Sequence, residues 1–367
     1  MKIISVIGAR PQFIKAAVVS RALGSIHGLE EILLHTGQHF DAEMSQIFFD
    51  EMEIPQPRFN LGIGGGTHGQ NTGRMIEAIE GVLLQEKPDW VMVYGDTDST
   101  LAGALAAAKL QIPLAHVEAG LRSYNRSMPE EINRVLTDHA AQVLFVPNSQ
   151  AVENLALEGI AGEKVRQVGD VMYDAALFYG QKAESRSGVL RRLGLTLGKY
   201  VLATIHRPEN TDDVGRMSGI MRAFQELAAE MPVVFPVHPR TRQKLGEAGP
   251  LATGSTSARP GAPCLIPPVG YLDMVMLEKN AAVIATDSGG VQREAFFHRV
   301  PCVILRKETE WVELVELGWS TLAQALDPTD TVTKIRYALS APPGQNVFPY
   351  GKGDSAQKIA RFYGDQV

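Results

Sequence analysis

Short apolar runs alternate with amphipathic stretches along the whole chain, and the alternation occurs twice. Runs of strand length fall at residues 3–7, 31–35, 90–94, 114–117 and 143–146, and again at 200–204, 233–237, 264–266, 282–285 and 301–305. Most of them precede a stretch with helical spacing, such as 99–109 or 214–230. Continuous apolar strands that alternate with helices are typical of parallel sheets covered by helices on both faces. The predicted fold class is therefore α/β, with two doubly wound Rossmann-like domains facing a cleft.

The length of 367 residues is enough for two domains of ordinary size. A seam at residues 181–199 is rich in charged residues and poor in bulky apolar ones. We predict a first domain over residues 1–170 and a second over residues 171–352. Ligands of doubly wound sheets bind beyond the carboxyl ends of the strands, so the polar residues that follow the strands are the candidate site.

Composition excludes several classes of protein. A net charge of −6 argues against a general nucleic-acid binder, which normally carries a basic excess. No apolar run reaches the roughly 18 residues of a membrane span, and the N-terminus lacks the features of a signal peptide. The two cysteines form neither a metal-binding set nor a disulfide framework. We expect a cytoplasmic protein with no nucleic-acid partner, no membrane partner and no bound metal.

The segment Asp287-Ser288-Gly289-Gly290 follows an apolar run and leads directly into a helical pattern. Such a turn presents backbone N–H groups and a hydroxyl at a helix N-terminus, where the dipole favours an anion. Glu294, just beyond, can accept hydrogen bonds from a ribose. The alternative is an ordinary N-capped helix whose glycines allow close packing, because short glycine motifs are weak signals.

Three carboxylates, Asp96, Glu118 and Glu131, come from successive connections of the first half. The second half offers His206 and the turn Asp287-Ser288-Gly289-Gly290, which we call the phosphate turn. Each residue alone could cap a helix or satisfy a backbone group. Carboxylates that crowd together raise each other's pKa, which is how proton-transfer groups are poised near neutral pH. Beside a diphosphate site that Arg10 and Lys15 can reach, they indicate proton chemistry on a nucleotide-activated substrate.

Taken together, the motifs resemble the bacterial non-hydrolysing UDP-N-acetylglucosamine 2-epimerases, over nearly the whole chain. The resemblance depends on Gly8-Ala9-Arg10-Pro11, Thr36-Gly37-Gln38-His39, Gly95-Asp96-Thr97-Asp98-Ser99, His116-Val117-Glu118-Ala119-Gly120-Leu121-Arg122-Ser123, Pro129-Glu130-Glu131-Ile132-Asn133-Arg134, His206-Arg207-Pro208-Glu209-Asn210 and Asp287-Ser288-Gly289-Gly290-Val291-Gln292-Arg293-Glu294. It implies the glycosyltransferase-B architecture, with a C-terminal helix at 353–367 that crosses back onto the first domain. It also implies a homodimer that acts on a UDP-sugar, without a cofactor, in the synthesis of surface polysaccharide precursors.

The resemblance also assigns the site residue by residue. Its catalytic candidates are Asp96, Glu118, Glu131 and His206. Its substrate-binding candidates are Arg10, Lys15, Arg122, Arg134, His238, Tyr271, Ser288, Gly289, Gly290 and Glu294. The implied reaction removes the C2 proton of the sugar while the anomeric bond to UDP breaks. UDP then adds back to the 2-acetamido-glycal with protonation from the opposite face. A glycosyltransferase of the same architecture is the alternative.

The chain departs from the family pattern at several positions. Gln12 stands where better-known members carry Glu, and Pro208 where they commonly carry Arg. Gln38 and His39 match a second, activating nucleotide-sugar site of the family, but Asp41 and Gly69 do not. These variations resemble the subgroup that epimerises UDP-2,3-diacetamido-2,3-dideoxy-glucuronate. The sequence leaves the choice between that substrate and UDP-N-acetylglucosamine open.

Overall fold

The computed structural model describes residues 1–38, 51–237, 239–247 and 261–367. Within these residues the chain divides into two compact units. The N-terminal unit comprises Met1–Leu177 and Phe348–Val367, and the C-terminal unit comprises Phe178–Val347. The division falls inside a helix, Val171–Arg186, whereas we predicted it at residue 170. The charged seam at residues 181–199 begins after this division, and parts of it lie in the helices Val171–Arg186 and Val189–Leu193.

The N-terminal unit is built from strands that alternate with helices. Its elements up to the division are β1 (Lys2–Ile7), α1 (Arg10–Leu23), β2 (Glu30–His35), β3 (Phe59–Asn60), α2 (His68–Glu86), β4 (Trp90–Tyr94), α3 (Asp98–Lys109), β5 (Leu114–Val117), α4 (Pro129–Ala140), β6 (Val143–Val146), α5 (Ser149–Leu157), a 3₁₀ turn (Gly162–Lys164), β7 (Val165–Gln167) and α6 (Val171–Arg186). Within the described residues, seven strands form one parallel sheet in the order β3-β2-β1-β4-β5-β6-β7.

The C-terminal unit repeats this plan. Its elements are α7 (Val189–Leu193), β8 (Val201–Thr204), α8 (Pro208–Thr211), α9 (Val214–Ala228), β9 (Val233–Pro236), α10 (Pro239–Glu247), β10 (Cys264–Ile266), α11 (Tyr271–Lys279), β11 (Val283–Thr286), α12 (Gly289–Phe297), β12 (Cys302–Ile304), α13 (Val312–Glu316), β13 (Ser320–Leu322) and α14 (Pro328–Ser340). The described part of this unit has a six-stranded parallel sheet in the order β10-β9-β8-β11-β12-β13.

The last helix, α15 (Ser355–Gly364), belongs to the N-terminal unit. Its Phe362 and Tyr363 rings meet Trp90 of β4 edge to face, with centroids 5.8 and 5.6 Å away. The N–H of Ala356 donates a 2.7 Å hydrogen bond to Asp174 of α6. Aromatic burial and this backbone cap hold the end of the chain on the N-terminal sheet.

Both sheets are covered on both faces, as the unbroken apolar strands predict. In β8, Val201 and Ala203 join one buried cluster with α9, whereas Leu202 joins another with α11. Alternate side chains of a strand point to opposite faces, so neither face of β8 is exposed to water. Most apolar runs predicted as strands do form strands. Three strands of two or three residues, β3, β7 and β13, were not predicted.

Each sheet has one point at which the strand order reverses. In the N-terminal unit it lies between β1 and β4, and in the C-terminal unit between β8 and β11. Ligands of doubly wound folds bind beyond the carboxyl ends of the strands at such a point. No helix in the described residues is long and apolar enough to cross a membrane.

Candidate active site

The turn after β1 is held by a buried glutamine. The Oε1 atom of Gln12 accepts hydrogen bonds from the N–H groups of Gly8 and Ala9, at 2.8 and 2.9 Å. Its amide nitrogen donates to the carbonyl of Tyr94, at 2.9 Å. An ionised Glu could accept the first two bonds but could not donate the third. Gln12 therefore ties the start of α1, where Arg10 lies, to the end of β4.

Lys15 and Glu118 form a buried ion pair after β1 and β5. The pair lies against Gly95, where an added Cβ would come within 3.0 Å of the Lys15 Nζ and 3.3 Å of a Glu118 oxygen. Glu118 has a φ of 70°, in the left-handed region that non-glycine residues seldom occupy. Such a conformation costs about 1–3 kcal/mol, and strained residues of this kind cluster at functional sites. Lys15, a predicted diphosphate ligand, contacts the carboxylate instead.

Arg134 connects the other two predicted catalytic carboxylates. Its guanidinium lies 2.6 Å from Asp96 and 3.5 Å from Glu131. The Asp96 side chain keeps 32% of its surface exposed, whereas that of Glu131 keeps 3%. Glu131 also accepts hydrogen bonds from the N–H and hydroxyl of Ser123, both at 2.8 Å, and from the N–H of Tyr124 at 3.1 Å. Glu131 thus fixes the loop before α4, and Asp96 presents the most accessible oxygens.

The structure brings Asp96, Glu118 and Glu131 together in one cluster of the N-terminal unit. We expected the three carboxylates to crowd together and raise each other's pKa. Instead, Lys15 lies beside Glu118, and Arg134 lies beside the other two. Each of the three carboxylates therefore has a cation beside it, and the cluster is a set of ion pairs.

A second buried network supports this cluster, and the sequence did not reveal it. Asp138 of α4 is fully buried and accepts hydrogen bonds from Gly120 N–H at 3.0 Å and from Arg122 at 2.7 Å. Its other oxygen lies 2.7 Å from His116 Nδ1, and the Nε2 atom of that ring lies 2.6 Å from the Gly95 carbonyl oxygen. Asp138 therefore fixes the segment that carries Glu118.

Arg122, a predicted substrate ligand, has only 1% of its side chain exposed. It donates to both oxygens of Glu158, at 2.6 and 2.8 Å. Burial by itself lowers the pKa of Arg122, but the hydrogen bonds to Glu158 and the charge of Asp138 raise it above its ordinary value. The hydrogen bond from Arg122 also lowers the pKa of Glu158. This geometry favours a structural role, and a contact with substrate stays a prediction.

The predicted second nucleotide-sugar site is only partly described. The Oε1 atom of Gln38 accepts hydrogen bonds from the N–H and hydroxyl of Ser99, at 3.0 and 2.6 Å. His39 and Asp41 lie outside the described residues. At Gly69, in the first turn of α2, an added Cβ would meet nothing within 4 Å. The neighbouring His68 ring lies 2.8 Å from Asp98.

The phosphate turn of the C-terminal unit has the predicted local structure. Ser288 is the N-cap of α12, and its hydroxyl accepts a 3.4 Å hydrogen bond from Val291 N–H. Gly289 and Gly290 supply the first helical N–H groups, which have no partner in the preceding turn of the helix. Together with the helix dipole they would favour an anion, and phosphate binding at this turn stays a prediction.

Asp287 ties this turn to the end of β8. Its fully buried carboxylate accepts the N–H groups of His206 and Arg207, both at 3.1 Å, and the side-chain amide of Asn210 at 3.0 Å. The His206 side chain remains 56% exposed beside the turn. Neither Asp287 nor Arg207 was among the residues predicted for the site.

Glu310 orients Arg207 next to the glycines. Its carboxylate lies 3.0 Å from Arg207 and 2.6 Å from Arg306. Burial alone would raise the pKa of Glu310, but a backbone hydrogen bond and the two arginines lower it. An added Cβ at Gly289 would lie 3.8 Å from the Arg207 guanidinium. Arg207 is therefore a further cation at the phosphate turn.

Two other predicted ligands of the C-terminal unit lie on neighbouring helices. Tyr271 begins α11, and burial together with the charge of Glu294 raises its pKa well above the ordinary value, so its hydroxyl stays neutral. Glu294 lies on α12, and after burial its charge is the next cause that raises the pKa of Glu278. His238 lies outside the described residues. Among the described residues, no group of three or more His, Cys, Asp or Glu could hold a metal ion.

Comparisons with known proteins agree over almost the whole length. The family model for UDP-N-acetylglucosamine 2-epimerase matches residues 21–363. A UDP-2,3-diacetamido-2,3-dideoxy-D-glucuronate 2-epimerase from Pseudomonas aeruginosa is 49% identical, with 99% of each chain covered. A UDP-N-acetylglucosamine 2-epimerase homolog from Methanococcus maripaludis is 50% identical, with 98% of each covered. The Methanocaldococcus jannaschii UDP-GlcNAc 2-epimerase, solved in complex with UDP-GlcNAc and UDP, superposes with a TM-score of 0.87 at 42% identity, covering 99% of both chains. The predicted fold class and family are confirmed.

Proposed function

The chain belongs to the UDP-N-acetylglucosamine 2-epimerase family and is an epimerase of UDP-linked sugars, and from that premise we propose that it inverts C2 of a UDP-2-acetamido sugar by eliminating and re-adding UDP. The observation that supports this chemistry is the cluster of Asp96, Glu118 and Glu131 with its two cations. The alternative of a glycosyltransferase is not favoured, because the family model and the relatives described above are 2-epimerases.

In the elimination, a carboxylate takes the proton from C2, a double bond forms between C1 and C2, and the C1–O bond breaks. UDP leaves with the bonding electron pair. Re-addition restores the C1–O bond, and C2 receives a proton on the opposite face. Atoms and electrons balance without an oxidant. The C2 proton is only weakly acidic, so stabilisation of the departing diphosphate must lower the barrier.

The residues divide these tasks by their accessibility. Asp96 exposes the most surface of the three carboxylates, so we assign it to proton transfer at C2. Glu118 is the second proton-transfer group, and Lys15 holds it in place. Glu131, whose oxygens already accept several hydrogen bonds, orders the loop before α4. In the C-terminal unit, Arg207 and the Ser288 turn receive the diphosphate and Glu294 the ribose.

For the substrate we propose the UDP-2,3-diacetamido-2,3-dideoxy-glucuronate class. The Pseudomonas relative with that activity is 49% identical, close to the 50% of the UDP-N-acetylglucosamine 2-epimerase homolog, so the choice depends on the group at C5 of the sugar. A uronate adds a carboxylate at C5, which calls for a cation. Arg126 is exposed, and among the described residues it makes no hydrogen bond or ion pair. It lies on the loop that Glu131 orders, where Ser127 also donates to Asn125 Oδ1 from its N–H (3.1 Å) and hydroxyl (2.6 Å).

UDP-N-acetylglucosamine is the second candidate substrate. Its support is the superposition, with a TM-score of 0.87, on an enzyme solved with UDP-GlcNAc and UDP. Both candidates predict the same chemistry at C2. They differ only in the groups at C3 and C5 of the sugar.

Incubation of the protein with each UDP-sugar in deuterated water tests the proposal. We expect deuterium at C2 in a product that still carries UDP, and faster turnover of the diacetamido uronate. Release of free sugar, or its transfer to an acceptor, would reject epimerisation. A preference for UDP-N-acetylglucosamine would reject only the assigned substrate.

The Arg126→Gln variant tests the carboxylate contact separately. We expect the KM for the uronate to rise about tenfold, while that for UDP-N-acetylglucosamine changes little, because only the uronate loses a charge-assisted hydrogen bond. Arg166→Gln is the matched control, since Arg166 is also exposed and unpaired among the described residues. An equal change for both sugars would contradict the role of Arg126.

We also propose that the protein is a homodimer. The apolar side chains of Leu84 on α2 and Leu136 on α4 are 56% and 46% exposed. Exposed apolar surface of this kind is available for a contact between copies. Light scattering at several concentrations should give twice the mass of 39.9 kDa.

A further inference from the structure

Asn133 of α4 is a buried side chain that the proposed chemistry does not use. Its amide nitrogen donates two hydrogen bonds, one of 3.0 Å to the main-chain carbonyl of Asp96 and one of 3.2 Å to Oδ1 of Asp98. A carbonyl oxygen can only accept, so the nitrogen of the Asn133 amide must face the turn between β4 and α3. Both of its N–H groups are therefore directed at the segment that carries Asp96.

The helix α4 holds Asp96 at two points. The guanidinium of Arg134 lies 2.6 Å from the Asp96 carboxylate, and Asn133, the preceding residue, binds the Asp96 main chain. The two contacts differ in what they leave mobile. A carboxylate that exchanges a proton with C2 of a sugar must turn an oxygen toward that sugar, whereas its main chain need not move. The bond from Asn133 can therefore persist while the carboxylate acts.

Asp98 fixes the orientation of the Asn133 amide. Its side chain is 7% exposed. Its Oδ1 atom accepts from Asn133 on α4, and its Oδ2 atom lies 2.8 Å from Nδ1 of His68, the first residue of α2. Because the two oxygens have partners on two different helices, the carboxylate cannot rotate without losing one of them. A continuous series of contacts thus runs from His68 through Asp98 and Asn133 to the main chain of Asp96.

We propose that Asn133 is a positioning residue, whose amide fixes the main chain of Asp96 so that the Asp96 carboxylate meets C2 of the sugar in the geometry of proton transfer. Proton transfer needs the heavy atoms within about 3 Å, and a displacement of about 1 Å can lower the rate on the order of 10²-fold. Both hydrogen bonds lie inside the N-terminal unit, so their loss should lower turnover far more than it weakens UDP binding. This inference rests on the proposed function, in which Asp96 exchanges the C2 proton.

Steady-state kinetics of the full-length protein test the inference, with whichever of the two candidate UDP-sugars it converts faster. Asn133→Leu has a similar size and lacks both donors, so we expect kcat to fall roughly 10- to 100-fold. The KM and the UDP affinity from calorimetry should stay within about threefold. In Asp98→Asn the side-chain oxygen can still accept from Asn133, so kcat should also stay within about threefold.

Asn148→Leu is the matched control. Asn148 is a buried asparagine of the same unit, and its side chain accepts a 2.9 Å hydrogen bond from the N–H of Ala151. Its replacement also removes a buried hydrogen bond but does not touch the Asp96 segment, so kcat should remain near that of the unmodified protein. A loss of kcat in Asn148→Leu as large as that in Asn133→Leu would contradict a specific role for Asn133.

A double-mutant cycle with Asp96→Asn tests whether Asn133 acts through Asp96. In the Asp96→Asn background, Asn133→Leu should lower kcat by less than about twofold, because the carboxylate that it positions is already absent. A merely structural role would lower kcat by the same factor in both backgrounds and would overturn the proposal. Asn133→Ala lacks the same donors and suits a helix, so it completes the cycle if Asn133→Leu does not fold.

The cycle also separates the two levels of inference. Near-normal turnover in Asp96→Asn would reject the proton-transfer role of Asp96 and with it this part of the proposed function. If Asp96→Asn loses turnover while the Asn133 variants keep theirs, only the positioning role is wrong.

Discussion

At the scale of single residues, three carboxylates that look equivalent in sequence have different environments. Asp96 keeps about a third of its side chain exposed, whereas Glu118 is held by Lys15 and Glu131 by a ring of donors. A group that must contact C2 of a sugar has to be reachable. Accessibility therefore ranks Asp96 first for proton transfer, a ranking that residue type alone could not provide.

The first prediction concerns this ranking. Asp96→Asn removes the basic oxygen and should lower kcat by roughly 10²–10⁴, the usual contribution of a general acid or base, while UDP binding changes little. Glu118→Gln should have a similar effect. Steady-state kinetics and UDP calorimetry measure both quantities. Glu163→Gln is the control, because Glu163 is exposed in the same unit. Near-normal turnover in both site variants would contradict a role for these carboxylates in proton transfer.

The sequence predicts where Asp96 and Glu118 lie because each follows an apolar run of strand length, whereas Glu131 lies farther along the chain, in the first turn of α4. It does not predict the residues that hold them. Asp138 lies in the last turn of α4, where a lone carboxylate is most simply read as solvated, yet it is fully buried against His116 and Arg122. Its partners come from a strand end 22 positions away and from the loop that follows. Only tertiary packing reveals that pairing.

At the scale of elements, the turn from β11 into α12 caps a helix and is also the predicted phosphate site. The Ser288 hydroxyl caps the helix, and the first N–H groups of that helix lie at the same turn, where we predict the phosphate. The sequence could predict this local structure, because strand, cap and helix are contiguous. The short strands β3, β7 and β13 could not be predicted, because two or three residues carry too little periodicity and their pairing depends on neighbours distant in sequence.

The second prediction separates capping from phosphate binding. Arg10→Ala should weaken UDP binding about tenfold, since a charged hydrogen bond is lost. Ser288→Ala should weaken it too, and it should also cost about 1 kcal/mol of stability because the N-cap is lost. Ser288→Thr keeps a hydroxyl and should restore both. Calorimetry and thermal unfolding report the two effects, and unchanged UDP affinity in both alanine variants would place the diphosphate elsewhere.

The third prediction concerns the C-terminal end of α12, which His298 caps. Burial, with a smaller effect of Lys279, lowers the pKa of His298 from 6.5 to about 4. The folded state therefore resists protonation, and the unfolded state binds more protons between pH 6.5 and about 4. The free energy of unfolding should fall as pH falls through this window, by up to about 3 kcal/mol. The free energy of unfolding, measured with urea, should differ less between pH 7 and pH 5 in His298→Gln than in the unmodified protein. An equal difference in the two proteins would contradict the assignment to His298.

At the scale of the whole molecule, two units of similar topology carry complementary chemistry. The N-terminal unit has the carboxylates and the C-terminal unit has the phosphate turn, each at the point where its strand order reverses. The sequence indicated both from the repeated alternation of strands and helices. It could not place the division, because α6 continues through residue 177 without a break in its helical pattern.

The last prediction concerns regulation of the whole enzyme. In the family pattern that the sequence resembles, a second nucleotide-sugar site depends on an Arg at the position of Gly69. Here that position has no side chain, and no atom of the described residues would lie within 4 Å of a Cβ added there. Loss of one cation beside an anionic nucleotide-sugar costs about 1–2 kcal/mol and weakens such a site roughly 5- to 30-fold. We therefore expect pure product to be converted in the reverse direction without a lag. Gly69→Arg is the matched variant, because it restores the arginine of the family pattern. We expect traces of forward substrate to stimulate the reverse reaction of this variant but not that of the unmodified enzyme. A lag in the unmodified enzyme, relieved by such traces, would show that the second site functions without the arginine.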